Sequence, residues 1–263
     1  MQTFIRALLS IYLGHLLTDF VFQTPSLVSL KRDGKFRGYF IHSATHFLAT
    51  LLLTGFFVRG SALELRTYLI LLALTIVHTS LDLAKIQLTR RGIVPDGTRA
   101  YLGDQATHAL TVVLAAWLLV PGFSYREVAA LAGASRNLPA KFLAVPIVYI
   151  GVIFGGGYLI RYLTRTLAEG IKRNAADKSS QQLQNAGLYI GWLERFLVIT
   201  SLMLHSPATI GLILTAKSIA RYPEFKSEHF AEYFLIGTLL SIAIAILGGM
   251  VLVRAIFGAI RLA

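Results

Sequence analysis

The chain has 263 residues, of which 55% are hydrophobic and 14% charged, and a mean hydropathy of +0.65. Soluble domains carry about 25% charged residues, so too little polar surface remains to cover a soluble protein of this size, and an integral membrane protein is expected. The net charge of +12 comes from Lys and Arg lying mostly between apolar runs, which favours loops facing anionic lipid over nucleic acid as a partner, and the absence of cysteine leaves His, Asp and Glu as metal ligands.

Eight apolar stretches follow in chain order, near 4–23, 40–58, 67–88, 104–121, 142–163, 188–205, 207–221 and 231–257. A helix needs about 20 residues to cross the hydrocarbon, and most stretches qualify. The seventh, "PATIGLILTAKSIARY", is short; whether it crosses or re-enters stays open. Sustained strand alternation is absent, which disfavours a β-barrel. The expected fold class is therefore all-α, a polytopic transmembrane helical bundle of about eight spans. The first stretch superficially resembles a signal peptide but lacks a small-residue cleavage site, so it is expected to be retained.

The connections set the orientation. "KRDGKFR", "TRRGIVPDGTR" and "RYLTRTLAEGIKRNAADK" are rich in Lys and Arg, and the connections between them are thinner in both. The positive-inside rule then places the N-terminus outside and the odd-numbered loops in the cytoplasm. Residues 1–121 are expected to form a four-helix transmembrane bundle with a polar core. Residues 122–263 would supply the C-terminal helices, with a polar cytoplasmic hinge near 170–187. "FGGGY" in the fifth stretch permits close packing or a kink.

The first four helices carry an unusual polar load. The first has His15 and Asp19, followed by Gln23; the second, "HSATH", has His42 and His46; the third, "HTSLDLAK", has His78, Asp82 and Lys85; the fourth, "DQATH", has Asp104, Gln105 and His108. Each helix thus bears two His or Asp side chains at i, i+4, one turn apart on one face. With the expected topology all four pairs fall at similar depth in the cytoplasmic half. That is how di-iron carboxylate bundles build a site.

Such charge is costly, at about 2.5–3.5 kcal/mol per Asp at a helix centre. Asp19, Asp82 and Asp104 need compensation, which a divalent cation provides by holding carboxylates ionised and imidazoles neutral. His15, Asp19, His42, His46, His78, Asp82, Asp104 and His108 are the candidate ligands, for zinc, manganese, iron or nickel without distinction. The surplus of donors suggests either two metals or one metal with a general base. The competing reading is that these residues pair with one another and only staple helices together. Lys85 is either a snorkelling interfacial lysine or a holder of substrate anion. Gln23 and Gln105 fit outer hydrogen bonders better than ligands.

The C-terminal half has a weaker constellation in "GWLERF", "LTAKSIARY" and "EHFAEYFLIGT". Glu194, Arg195, Lys217, Arg221 and Glu232 could form an ion-pair network locking three helices. Alternatively Arg195, Lys217 and Arg221 bind an anionic headgroup. His205 and His229 are assigned to no metal.

The motifs "GHLLTDFVFQ", "HSATH", "HTSLDLAK" and "DQATH", in this order, resemble the signature of an uncharacterised bacterial integral-membrane family, catalogued as domain of unknown function 3307. The resemblance covers about the first 120 residues, and the C-terminal pattern is similar to the extension of the family's long form. It implies a multi-pass protein of the bacterial inner membrane and lends no activity. The His/Asp pattern is also faintly similar to that of membrane-bound metal-dependent hydrolases, an analogy only.

The leading functional expectation is a membrane metal-dependent hydrolase acting at the cytoplasmic side on a lipid-linked or phosphorylated substrate. Asp19 or Asp82 would take a proton, and Lys85, with Arg195, Lys217 or Arg221, would offset substrate charge. The alternatives are a metal-ion or proton-coupled transporter and a structural or regulatory membrane module. The bilayer and a lipid or phosphorylated substrate are the expected partners, with nucleic acid excluded.

Overall fold

The computed structural model describes residues 3–58, 64–120, 138–165, 186–226 and 228–258, which are helical throughout apart from short connections. Contacts divide the chain into two units, Met1–Ile150 and Gly151–Ala263. The polar hinge expected near 170–187 lies, up to residue 185, outside the described residues.

Among the described residues six segments are long and apolar enough to cross a membrane: Phe4–Val21, Phe36–Phe57, Leu65–Arg90, Thr98–Leu119, Ala140–Leu163 and Phe230–Phe257. The helical-bundle class is as expected; six of the roughly eight expected spans meet both criteria. The expected seventh span forms a helix of 14 residues, Ala208–Arg221. At 1.5 Å per residue it is about 21 Å long, short of the ~30 Å hydrocarbon layer.

In the first unit, α1 (Thr3–Leu16) runs on into a π turn, Leu17–Val21. Then come α2 (Pro25–Arg32), α3 (Phe36–Phe57), α4 (Leu65–Arg90), α5 (Thr98–Leu119) and α6 (Leu138–Ile150). α1 is the central helix and packs against α3, α5 and α6, while α4 bridges α3 and α5. The apolar part of this unit is built on Ile11, Leu71, Val112 and Ala116.

α3 shows why these helices suit lipid. Its buried stripe is Gly38, His42, His46, Thr50 and Thr54, at a strict four-residue spacing. Its exposed stripe is Phe40, Leu48, Leu52 and Phe56. Polar inside and apolar outside is the reverse of a water-soluble helix, and it is the arrangement a hydrocarbon solvent favours.

α2 occupies what the sequence offered as the first loop. Thr24 caps it, its Oγ1 accepting from Leu27 N at 3.3 Å, with Pro25 in the first turn. Gly34, at φ +74°, ends the segment in the left-handed conformation that glycine tolerates. Gly38 lets α2 and α3 lie close: a Cβ there would come within 2.8 Å of Leu30 Cβ and Lys31 N. α5 starts at Thr98, more than a turn before the expected 104; the polar residues of its first turns stand outside the continuous apolar run. Asp104 and His108 therefore lie within the helix rather than at its mouth.

The second unit contains a π turn (Gly151–Gly155), α7 (Gly156–Leu163), α8 (Ala186–Met203), α9 (Ala208–Arg221), a 3₁₀ turn (Tyr222–Lys226) and α10 (Glu228–Phe257). α8 packs along α10, with Val198, Ile199 and Leu202 buried on one and Ala245, Leu252 and Val253 on the other.

Candidate metal centre

The eight candidate ligands lie on α1 and its π turn, α3, α4 and α5, and all eight meet in one cluster. α1 and α4 bring their pairs in at their C-terminal halves, and α3 and α5 at their N-terminal halves. Successive antiparallel helices thus deliver them to one end of the unit. Asp19 belongs to the π turn, a feature frequent at functional sites because it re-aims side chains. Thr18, in the same turn, donates to Gly14 O at 2.8 Å.

The five imidazoles are all buried, at 0–1% exposure for His15, His42, His46, His78 and His108. Ring centroids lie 4.2 Å apart for His46 and His78, 4.4 Å for His78 and His108, and 5.3 Å for His15 and His78. His78 is the centre of the cluster. Its Nε2 is 2.9 Å from His42 Nε2 and 3.3 Å from Asp19 Oδ1. His42 Nε2 also lies 3.2 Å from Asp82 Oδ2, and His108 Nε2 lies 3.3 Å from Asp82 Oδ1.

Among the described residues two subsets have ligand atoms within 4.8 Å of one another: His15, His46 and His78, and Asp19, His78, Asp82 and His108. A tetrahedral ion at about 2.0–2.1 Å from its ligands separates them by about 3.3–3.4 Å. The Asp19–His78 and Asp82–His108 separations, both 3.3 Å, match that edge. Several buried atoms here have no hydrogen-bond partner among the described residues: both ring nitrogens of His15, Asp19 Oδ1, His42 Nδ1, His46 Nε2 and His108 Nδ1. Buried polar groups are normally paired, so donor chemistry and unmet valence both fit a bound cation.

Two lysines adjoin the carboxylates. Lys85 Nζ donates to Asp104 Oδ2 at 2.8 Å, and Gln105 Nε2 reaches the same oxygen at 3.3 Å. Gln23 instead donates to the backbone carbonyl of Asp19. The sequence reading missed Lys31, counted there among loop cations. Lys31 is 5% exposed and its Nζ lies 2.5 Å from Asp82 Oδ2. The signal was present: Thr24-Pro25 is a helix start, and Leu27 and Lys31 then share a face at i, i+4.

Residues 7–130 match the family DUF3307, described as a protein of unknown function. All eight candidate ligands, with Lys31 and Lys85, lie within that DUF3307 segment. The chain continues beyond it with a longer C-terminal part. No curated protein and no solved structure matches the chain.

Arg195, Lys217 and Arg221 lie beyond the DUF3307 segment, in the second unit. The Arg195 side chain donates to the carbonyl of Ile153 from Nε (3.1 Å) and Nη2 (2.7 Å), and to Ser241 Oγ from Nη1 (3.2 Å). Ile153 belongs to the π turn. Lys217 Nζ donates to Glu194 Oε2 at 2.7 Å and lies 5.3 Å from the Phe234 ring centre. Arg221 closes α9. "FGGGY" makes room for the guanidinium: a Cβ on Gly157 would lie 2.7 Å from Arg195 Nη2. Gly157→Ala should therefore destabilise the second unit by about 1–2 kcal/mol, since the pinned guanidinium must move. Thermal unfolding in detergent checks this; an unchanged midpoint would contradict the cradle.

Proposed function

We propose that the first unit is a membrane-embedded, metal-dependent hydrolase acting on a lipid-linked or phosphorylated substrate from the cytoplasmic side. The observation that carries this reading is the mixed set Asp19, His78, Asp82 and His108. Its carboxylates retain 10–12% side-chain exposure, and it is flanked by the ammonium groups of Lys31 and Lys85. With His78, Asp82 and His108 as ligands and Asp19 kept as a base, the fourth position is left to water, the pattern of catalytic metal sites, whereas sets closed by four protein ligands are structural. When bound, a divalent ion supplies electrophilic polarisation and an acidified water.

The residues divide the remaining work. In this reading Asp19 is the base rather than a ligand: its Oδ1, buried without a hydrogen-bond partner among the described residues, would accept the proton of the attacking water. Asp82 is held by Lys31 through Oδ2, which leaves Oδ1 beside His108 for coordination. Lys85, one-third exposed at the rim, is placed to offset substrate anion charge. The cytoplasmic orientation of this end rests on the Lys- and Arg-rich connections.

Transport is the second reading, because buried His and Asp also serve ion pathways. The layer above the centre argues against it. Ile11, Leu71, Val112 and Ala116 make up most of it; of the hydroxyl residues buried beside them (Ser10, Thr50, Thr54 and Thr67), Ser10 and Thr50 return their hydroxyls to backbone carbonyls of their own helices. A path would need polar groups facing one another there.

The test uses the detergent-purified chain with a soluble phosphomonoester and with a diacylglycerol phosphate in mixed micelles. Hydrolysis of at least one should vanish on chelation and return with zinc or manganese. Asp19→Asn should lower the rate about 10²–10⁴-fold. Metal-loaded protein that hydrolyses neither, but passes metal ions or protons across liposomes, would replace the hydrolase with the transporter.

A further inference from the structure

We infer that the centre holds two metal ions, and that the second is bound by imidazole alone, through His15, His46 and His78. The decisive atom is Nε2 of His46. Thr75 Oγ1 donates its single proton to Leu71 O at 2.9 Å. Its 3.0 Å contact with His46 Nδ1 must then run the other way, with Nδ1–H donating to Thr75 Oγ1. A neutral His46 consequently carries a bare lone pair on Nε2. That atom is buried and has no hydrogen-bond partner among the described residues. Fixing one ring nitrogen by an outer hydrogen bond so that the other can ligate is how proteins orient metal-binding histidines.

His15 completes the case. Both its ring nitrogens are buried without a hydrogen bond, and its ring lies 6.3 Å from His46 and 5.3 Å from His78, centre to centre. One ligand atom from each of the three rings falls within 4.8 Å of the other two. Three imidazole nitrogen donors suit zinc, cobalt, nickel or copper and discriminate against magnesium and calcium, which prefer oxygen. This set is closed, at 0–1% exposure, while Asp19 and Asp82 of the carboxylate-bearing set keep 10–12% side-chain exposure. His78 is common to both, so filling both positions makes it a bridging imidazolate that releases its ring proton to solvent, and the two positions are neighbours. The inference is independent of the hydrolytic reading, because ions can be counted without any substrate.

The experiment strips the detergent-purified full chain with a chelator and titrates Co²⁺, reading visible absorption and elemental content in parallel. Wild type should bind two Co²⁺ per chain, one of them not displaced by excess Mg²⁺. His46→Gln and His108→Gln should each bind one, with different absorption spectra. Thr75→Val should weaken one of the two equivalents about 10–100-fold, and Thr75→Ser should restore it. A single Co²⁺ in the wild type overturns the inference, as does loss of the same ion in both histidine variants. Should His46→Gln fail to fold, the near-isosteric Thr75→Val decides: two equivalents as tight as wild type would refute the second position.

Discussion

Lys31→Met should destabilise the metal-free protein by about 3–5 kcal/mol, the cost of leaving one partner of a buried ion pair without the other. Lys31 and Asp82 are 5% and 9% exposed. Asp82 Oδ2 lies 2.5 Å from the ammonium, and the other groups near this carboxylate, His42 and His108, are imidazoles that compensate it only when protonated. Methionine keeps the length and apolar stem of lysine, so packing of α2 changes little and the loss is electrostatic. Two controls follow from the same physics. Saturating zinc should recover most of the loss, because the ion takes over the neutralisation of Asp82. Asp82→Asn in the Lys31→Met background should recover it without metal. Denaturant unfolding in mixed micelles, with and without chelator, reads all three. Equal stability of Lys31→Met and wild type in chelator would mean that Asp82 is compensated elsewhere.

Gly14→Val should cost about 3 kcal/mol, the upper end for overpacking, and should also weaken metal binding. A Cβ on Gly14 would lie 2.8 Å from Thr50 Cγ2 and 3.0 Å from both the Cα and N of Thr50. Two of those contacts are backbone, so no rotamer change relieves them and α1 must move off α3. His15 is the next residue on α1, and His46 is one turn from Thr50 on α3. Separating the helices therefore pulls apart two of the imidazoles proposed to share an ion, with an expected loss of about 10–100-fold in affinity. Gly103→Ala is the matched control. Its Cβ would meet nothing within 4 Å, so neither stability nor metal content should fall. Co²⁺ titration beside thermal unfolding separates the two; full affinity in Gly14→Val would mean that the α1–α3 spacing does not set the ligand geometry.

The second unit shows how function and architecture compete for the same charges. Arg195, Lys217 and Arg221 read from sequence either as an anion site or as helix locks. Arg195 closes on the Ile153 carbonyl in the π turn, and Lys217 closes on buried Glu194. The glycines of "FGGGY" explain the first of these contacts, because only residues without a Cβ leave space for the guanidinium at Gly157.

Much of the first unit was legible in the chain itself. Helical periodicity is local, so pairs at i, i+4 on four apolar segments had to lie on one face of each helix. The cost of charge in hydrocarbon then required those faces to meet, and the lack of cysteine restricted any metal chemistry to nitrogen and oxygen donors. The tertiary structure decided the rest. Lys31 joins Asp82 across 51 residues through a short helix that no apolar run announces. Thr75 fixes the tautomer of His46 from a neighbouring helix, and the division of the donors into two sets depends on ring positions a few ångströms apart. Sequence spacing encodes which residues share a helix face. Which face meets which, and at what distance, is set by side-chain packing between segments remote in the chain.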